Sequence, residues 1–180
     1  MSKKVKNRYD LSGEYGIGWT SNTNKEFYFD LDDYDKIKDY TWFEHLRKDG
    51  YRLLEAWDSD LKRKVKMWCV LGYKHHDHIN RNTLDNRSEN LRPATVAENA
   101  RNCSKNSNNT SGFTGIRWRE KRNRWEVSIQ FDGTRFWLGE FENKEDAIAT
   151  RLTAEAEYYG EFAPQRHLFE KYNIKKIQND

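Results

Sequence analysis

Cysteine is scarce in this chain of 180 residues, where Cys69 and Cys103 do not form a CxxC pair. This scarcity argues against a disulfide framework and against a zinc site with four cysteine ligands, and it fits a reducing environment. Apolar residues are also few, because the hydrophobic fraction of 36% is low for one well-filled core. The sequence therefore predicts two or three small units rather than one globule.

Long apolar runs and an excess of one charge are both missing. No segment approaches the roughly 20 apolar residues of a membrane-spanning helix, and the first ten residues lack the apolar run of a signal peptide. We therefore expect a cytoplasmic protein with no membrane partner. The 32 Lys and Arg nearly balance the 29 Asp and Glu, so the total charge predicts no partner unless the two signs are segregated.

Aromatic residues are abundant, at 14% with seven Trp. Aromatic side chains bury much area in small units, but exposed rings also stack on bases, so composition leaves both uses open. Residues 1–72 alternate aromatic runs with turn signals and indicate a small, mostly β scaffold. Its predicted elements are strands at residues 14–20, 26–29, 51–56 and 64–70 and a helical turn at 32–40.

The most polar stretch covers residues 73–99, which are rich in His, Asn and carboxylates and are costly to fold around unless something binds there. Within it, Asp77 and His78 are adjacent. A neutral imidazole is suited to take a proton from water near pH 7, and a neighbouring carboxylate can hold a divalent cation. Phosphodiester hydrolysis uses both. Mg²⁺ prefers oxygen ligands, which Asp77 and an Asn side chain would supply.

The sequence DHINRNTLDNRSENLR, followed by TVAEN, resembles the HNH nucleases of the ββα-metal type, particularly the homing endonucleases of phages and introns. The resemblance covers residues 64–102, and it rests on the joint spacing of Asp-His, Asn-Leu-Arg and the helix Asn. It implies a nuclease module in which two strands and a helix surround one divalent metal, Mg²⁺ or Mn²⁺.

Matching positions imply a role for each motif residue. His78 matches the general base that activates water, and Asn90 matches the residue that orients this histidine. Asp77 and Asn99 match the metal ligands, Asn99 from a helix that is predicted to start after Thr95. The resemblance further implies that Arg92 contacts phosphate.

The other polar residues of the stretch have simpler interpretations. His75 and His76 are expected to be solvated loop residues or contacts to metal or phosphate; a zinc site built from histidines this close in sequence is disfavoured. Asn80, Asn82 and Asn86 are expected to cap turns.

A polar run without apolar periodicity, CSKNSNNTSG, predicts a linker at residues 103–112. It separates residues 1–102 from a second domain at 113–163, which is followed by a tail at 164–180. The expected fold class is α+β: a β-rich N-terminal scaffold, the ββα module, and a three-stranded antiparallel sheet packed on one helix.

Three strands are predicted after the linker, at residues 113–119, 124–131 and 134–138. Asp132-Gly133 is a strong hairpin signal between the last two. Asn143 is the predicted cap of a helix that runs to Tyr159 and ends before Gly160. Basic residues dominate the strands and acidic residues dominate the helix.

Period-2 alternation separates the two faces of this sheet. One face carries polar residues, and the other is expected to pack under the helix through Ile116, Trp118, Val127, Ile129, Phe136 and Leu138. Residues 111–163 resemble the Apetala-type domain of plant ethylene-response factors, through the Gly-Ile-Arg opening, the Trp-Leu-Gly-Glu-Phe run and the alanine-rich helix. The resemblance implies a sheet in the DNA major groove. The implied DNA contacts are Arg117, Arg119, Gln130, Arg135 and Trp137.

The sequence thus predicts a site-directed endonuclease that cuts double-stranded DNA with one divalent metal and reads its target with the basic sheet. We expect a monomer or weak dimer, without a small-molecule cofactor, in the cytoplasm of a bacterial host if the gene is phage-borne. The alternatives are a DNA-binding regulator without activity and an RNA-binding protein that uses its aromatic residues for stacking.

Overall fold

The computed structural model of the protein describes residues 6–48, 50–102 and 109–175. It is an α+β protein with several small antiparallel sheets, and it divides into two units, Met1–Val96 and Ala97–Asp180. Residues 103–108 of the predicted linker and residues 176–180 of the predicted tail lie outside the described residues. No helix in the described part of the chain is long and apolar enough to span a membrane.

The first unit opens with an antiparallel sheet of three strands in sequence order, β1 (Arg8–Asp10), β2 (Gly16–Trp19) and β3 (Glu26–Phe29). Gly16 lies opposite Phe29, and Gly18 lies opposite Phe27. A Cβ atom at Gly18 would lie 2.2 Å from the Phe27 ring, and one at Gly16 would lie 2.3 Å from the Phe29 ring. The two glycines therefore let both rings lie flat across β2.

A helical turn and a second sheet follow. The elements are a 3-10 turn (Leu31–Asp33), α1 (Tyr34–Ile37), β4 (Phe43–Leu46), β5 (Arg52–Asp58), β6 (Arg63–Lys66) and α2 (Met67–Val70). β5 is the central strand of the antiparallel β4–β6 sheet. The predicted strand at 64–70 is thus a strand only as far as Lys66. From Met67, whose side chain is fully buried, the chain continues as α2. β1 and β4 were not predicted.

A short two-stranded antiparallel sheet completes the first unit, formed by β7 (His76–His78) and β8 (Leu91–Pro93). The core of the first unit consists of aromatic and aliphatic residues, namely Phe27, Phe29, Ile37, Trp42, Leu54, Ala56, Val65, Met67, Leu71 and Leu84. Leu84 comes from the β7–β8 loop, so this loop is anchored in the core. The buried Trp42 indole donates a hydrogen bond to the Ile37 carbonyl at 3.0 Å.

The second unit has the predicted sheet and helix. Its elements are β9 (Ile116–Arg119), β10 (Arg124–Phe131), β11 (Thr134–Phe141) and α4 (Lys144–Tyr159), and α3 (Val96–Arg101) crosses the boundary between the units. Asp132 and Gly133 have φ angles of 48° and 76°, as a tight hairpin turn requires. The Asn143 side chain accepts a hydrogen bond from Glu145 N at 2.8 Å, and Gly160 ends the helix with a φ of 53°. These boundaries confirm the predicted hairpin and helix.

The core of the second unit joins sheet, helix and tail. Ile116 and Val127 from the sheet, Ile148 and Leu152 from α4, and Phe169 from the tail are all buried in it. The tail therefore docks on the unit, but its ordered turn is a short 3-10 helix (Arg166–Leu168) rather than an α-helix.

A buried polar network crosses this core. The Arg151 Nε and Nη2 atoms contact Glu155 Oε1 at 3.0 and 2.9 Å, and Arg151 Nη1 donates to the Ser128 carbonyl at 2.7 Å. Gln165 donates to both Glu155 oxygens, from its backbone N at 3.0 Å and from Nε2 at 2.7 Å. Burial raises the pKa of the Glu155 carboxyl, against the opposing effects of Arg151 and Gln165. Gly115 is needed beside this network, because a Cβ there would lie 2.6 Å from the Ser128 carbonyl oxygen.

Candidate functional site

Asp77 and His78 lie on β7 and are both buried, with 3% and 7% of their surfaces exposed. Asp77 lies directly opposite Arg92 of β8, so the two side chains share one face of the sheet. Arg92 Nε and Nη2 lie 3.0 and 2.6 Å from Asp77 Oδ2. Arg92 itself is 7% exposed. Its guanidinium is held by this carboxylate, and its contact with phosphate stays a prediction.

The His78 imidazole lies in a poorly solvated position. Burial lowers its pKa below the usual value, and this effect outweighs the opposing influence of Asn86 and Asp77. The ring is therefore neutral near pH 7, as a proton acceptor must be. Nε2 of His78 lies 3.5 Å from Oδ1 of Asn86, at the outer limit of a hydrogen bond. Asn86 is 1% exposed.

Asn90 braces the loop between β7 and β8. Its Oδ1 accepts from Asn80 N at 2.9 Å, and its Nδ2 donates to the Asp85 carbonyl at 2.7 Å. The Asn90 carbonyl also accepts from Ile79 N at 2.8 Å, immediately after His78. Asn90 thus fixes the chain that carries His78, and Asn86 places an amide oxygen near the imidazole. The sequence predicts only a turn cap at Asn86.

A second brace runs through Asp85. Arg87 Nε and Nη2 donate to the two Asp85 carboxylate oxygens, each at 2.8 Å, and Asn80 Nδ2 donates to Oδ2 at 2.9 Å. Although burial alone would raise it, the pKa of Asp85 is lowered by the Arg87 guanidinium. The Arg87 guanidinium also lies 4.5 Å from the centre of the Tyr15 ring and 6.0 Å from that of Tyr28. The loop therefore contains an Asp85–Arg87 ion pair whose guanidinium lies against two aromatic rings.

The N-terminal sheet forms the support of this loop. Tyr28 N of β3 donates to the Leu84 carbonyl, and Asn86 N donates to the Tyr28 carbonyl, both at 2.8 Å. Ser88 N donates to Asp30 Oδ2 at 2.9 Å. These backbone hydrogen bonds thus pair the edge of β3 with the loop that carries Asn86. The N-terminal sheet, whose role the sequence does not predict, thus holds the loop of the candidate site in place.

The remaining predicted loop residues have local roles. Asn80 Oδ1 accepts from Asn82 N at 2.8 Å, and Asn82 Oδ1 accepts from Leu84 N at 3.2 Å, which confirms two of the predicted turn caps. His75 is exposed and has a φ of 52°. The His76 Nδ1 atom lies 2.8 Å from the Lys74 carbonyl oxygen.

Asn99 lies exposed on α3, within the second unit, so its pairing with Asp77 stays a prediction. Within residues 6–48, 50–102 and 109–175, no group of three or more His, Cys, Asp or Glu side chains is arranged to hold a metal. Asp77 offers the oxygen chemistry that Mg²⁺ prefers. A cation there would share the carboxylate with Arg92 or displace it.

The second unit presents an outer face, the side of its sheet away from α4. By the strand register this face carries Arg117, Arg119, Arg124, Glu126, Ser128, Gln130, Arg135, Trp137 and Glu140. Five of these residues are the predicted DNA contacts, so the structure brings all five together. On the opposite side Phe136 stacks on Tyr158 of α4 with ring centres 5.6 Å apart, as the alternation predicted.

The five predicted contacts differ in their present partners. Arg119 makes a two-pronged ion pair with Glu126, at 2.9 and 2.8 Å. Arg135 donates from Nε and Nη2 to Ser128 Oγ at 3.1 and 2.9 Å. Arg117, Gln130 and Trp137 are exposed, with Trp137 at 67%.

The face is also less basic than the strand sequences indicated. β11 continues to Phe141, past the predicted end at residue 138, and this extension brings Glu140 onto the face. Arg122 pairs with Glu140, and Arg124 lies 2.8 Å from Glu142. One end of the face is therefore neutralised by acidic side chains.

Comparison with known proteins finds a phage relative. Protein 3.8 of Escherichia phage T7 is 30% identical to this chain over 110 residues, which represent 57% of this chain and 88% of that protein. The chain belongs to the family of T7 protein 3.8. No protein-family model matches the chain, and no solved structure matches it significantly.

Proposed function

We propose that the protein is a DNA endonuclease of the HNH type whose second unit reads the target. The observation that carries the proposal is the pair Asp77 and His78, adjacent and buried at the end of a short strand. Such polar side chains are costly to bury. They lie beside a loop that is held by Asn90, by the Asp85–Arg87 ion pair and by β3. This placement supports a functional site rather than an ordinary surface turn. The similarity to a phage protein is in keeping with a phage-borne nuclease.

His78 would act as the general base, taking a proton from the water that attacks phosphorus. Its lowered pKa keeps the imidazole neutral for this step. Asn90 and Asn86 would hold the loop and the ring so that the base stays in one orientation. A divalent cation at Asp77 would neutralise the charge that develops on the phosphate.

The outer face of the second unit would supply DNA contacts. Three exposed side chains, Arg117, Gln130 and Trp137, and two held arginines, Arg119 and Arg135, lie on one antiparallel sheet. A ribbon of strands fits the major groove, where arginine can donate two hydrogen bonds to guanine. Two weak contacts on one chain raise each other's effective concentration, so nuclease and reader together would recognise a longer site.

Incubation of the full chain with supercoiled plasmid tests the nuclease. We expect nicked circles with Mg²⁺ or Mn²⁺, none with chelator, and a loss of about 10²- to 10⁴-fold in rate for His78→Ala without loss of DNA binding. His76→Ala is the matched control, because it removes a neighbouring imidazole and should leave the rate unchanged. Wild-type cleavage by His78→Ala would disprove the assigned base.

One contact favours a second candidate, a DNA-binding regulator that keeps the fold without activity. The Asp77 carboxylate, the proposed metal ligand, is already paired with Arg92 at 2.6 Å. A guanidinium at this position can take the place of a divalent metal ion. This candidate predicts duplex binding with no cleavage in either metal. The plasmid assay, combined with a gel-shift measurement, separates the two functions.

A further inference from the structure

We infer that Glu126 is a specificity-determining residue of the outer face, which holds two arginines away from the DNA backbone and so favours base contacts over phosphate contacts. The inference rests on the proposed DNA-reading role of this sheet. It concerns a carboxylate to which the resemblance to plant DNA-binding domains assigned no contact.

Glu126 occupies the middle of the face. It lies on the central strand β10, with Arg117 opposite it on β9 and Glu140 opposite it on β11. Its side chain is 13% exposed, against 68% for Arg135 and 36% for Arg119. A partly desolvated carboxylate therefore lies in the surface that would face DNA, where it would repel phosphate at short range.

Two arginines share this carboxylate. Arg119 uses Nε and Nη2 to bind both Glu126 oxygens, and Arg135 Nη2 lies 3.7 Å from Oε1. Arg135 also donates hydrogen bonds from Nε and Nη2 to Ser128 Oγ. Both guanidinium groups are thus fixed in orientation, and their remaining N–H groups are the ones available to a ligand.

A fixed arginine acts differently from a mobile one. A mobile guanidinium binds any phosphate, which adds affinity without sequence information. An arginine tied to a carboxylate is oriented before binding and loses less conformational freedom when it meets the edge of a guanine. Glu126 would therefore weaken binding to random DNA and preserve binding to the preferred sequence.

The test uses the full chain in chelator, which prevents cleavage, and compares wild type with Glu126→Gln. For a labelled duplex of random sequence we expect the variant to bind about threefold to tenfold more tightly, with a salt slope steeper by about 1 for each arginine released to phosphate. In selection from duplexes with a randomised core, its preference at the best-read base should fall about tenfold.

Glu142→Gln is the matched control, since it removes one negative charge and one arginine pair at a side chain that is 77% exposed. Glu126→Asp keeps the charge and should retain weak binding to random DNA, and circular dichroism checks that each variant is folded. Equal slopes and equal selectivity for Glu126→Gln and Glu142→Gln overturn the inference. Failure of the wild-type chain to bind duplex DNA, or binding without sequence preference, would instead refute the reading role of the sheet. Unchanged selectivity of Glu126→Gln beside a selective wild type would refute the role of Glu126 alone.

Discussion

Both units bury an arginine–carboxylate pair, Asp77–Arg92 in the first and Arg151–Glu155 in the second, and their surroundings differ. Arg151–Glu155 is closed by the Gln165 amide and lies in a core of Ile, Leu and Ala side chains. Asp77–Arg92 adjoins a neutral imidazole and a loop of buried polar residues, which are Thr83, Asp85, Asn86 and Asn90.

The comparison separates architecture from a site. In the second unit the pair lies on α4, and its hydrogen bonds to the Ser128 carbonyl and to Gln165 fasten the helix to β10 and to the tail. In the first unit polar burial extends beyond the pair to four residues of the β7–β8 loop. Burial of these polar groups costs free energy that apolar packing would not, which is why this loop, and not the Arg151–Glu155 pair, is the candidate site.

Replacing Arg151 with Met should have the largest effect. The Glu155 carboxylate, which is fully buried, would lose its cation, so we expect the free energy of unfolding to fall by about 3–5 kcal/mol. Urea denaturation measures the change. The double variant Arg151→Met, Glu155→Leu removes both charges and should recover most of the loss. A double variant as unstable as the single one would mean that the loss of stability does not come from an unpaired buried charge.

Replacing Arg92 with Met should destabilise the first unit by about 3 kcal/mol, at the lower end for a broken buried pair. Here a divalent cation can take the place of the guanidinium, so Mg²⁺ should raise the melting temperature of Arg92→Met more than that of the wild type. Arg151→Met is the control and should show no extra response to Mg²⁺. Identical Mg²⁺ responses in all three proteins would argue against a cation at Asp77.

Replacing Asn90 with Ala should cost about 1–3 kcal/mol, because Asn80 N and the Asp85 carbonyl would lose their partner. The rate of plasmid cleavage should fall by more than this loss of folded protein explains, since Asn90 fixes the chain at His78. Asn82→Ala is the matched control, because it removes one exposed turn cap from the same loop. Equal losses for both variants would contradict the special position of Asn90.

Replacing Arg117 with Ala should have the smallest effect on stability, within about 0.5 kcal/mol, as for most surface substitutions. Arg117 is exposed on the outer face, so its loss should weaken duplex binding and reduce the salt slope by about 1. Salt titration of a labelled duplex measures both. Unchanged affinity and slope would remove Arg117 from the predicted contact set.

Local patterns predicted the second unit well. Alternation along β9 to β11, the Asp132-Gly133 turn and the Asn143 cap each depend on residues close in sequence, so sequence alone placed them. The sequence did not reveal the Arg151–Glu155 network, because its third member, Gln165, lies outside the helix.

The first unit was harder to predict, because its site depends on contacts between distant segments. Sequence identified Asp77, His78 and Asn90 as a constellation and found two of the turn caps. It did not find that β3 supports the loop, that an Asn86 amide oxygen lies 3.5 Å from the imidazole, or that Arg92 pairs with Asp77.

Sequence by itself determined the chemistry that the chain carries: an adjacent carboxylate and imidazole, and a sheet whose polar residues alternate to one face. Tertiary structure decided which of these groups are already engaged. Arg92, Arg119 and Arg135 look equally basic in the sequence, yet the first is buried against Asp77, the second is bound to Glu126 and the third is held by Ser128. Strand register and burial set these pairings, and both arise only when distant parts of the chain pack together.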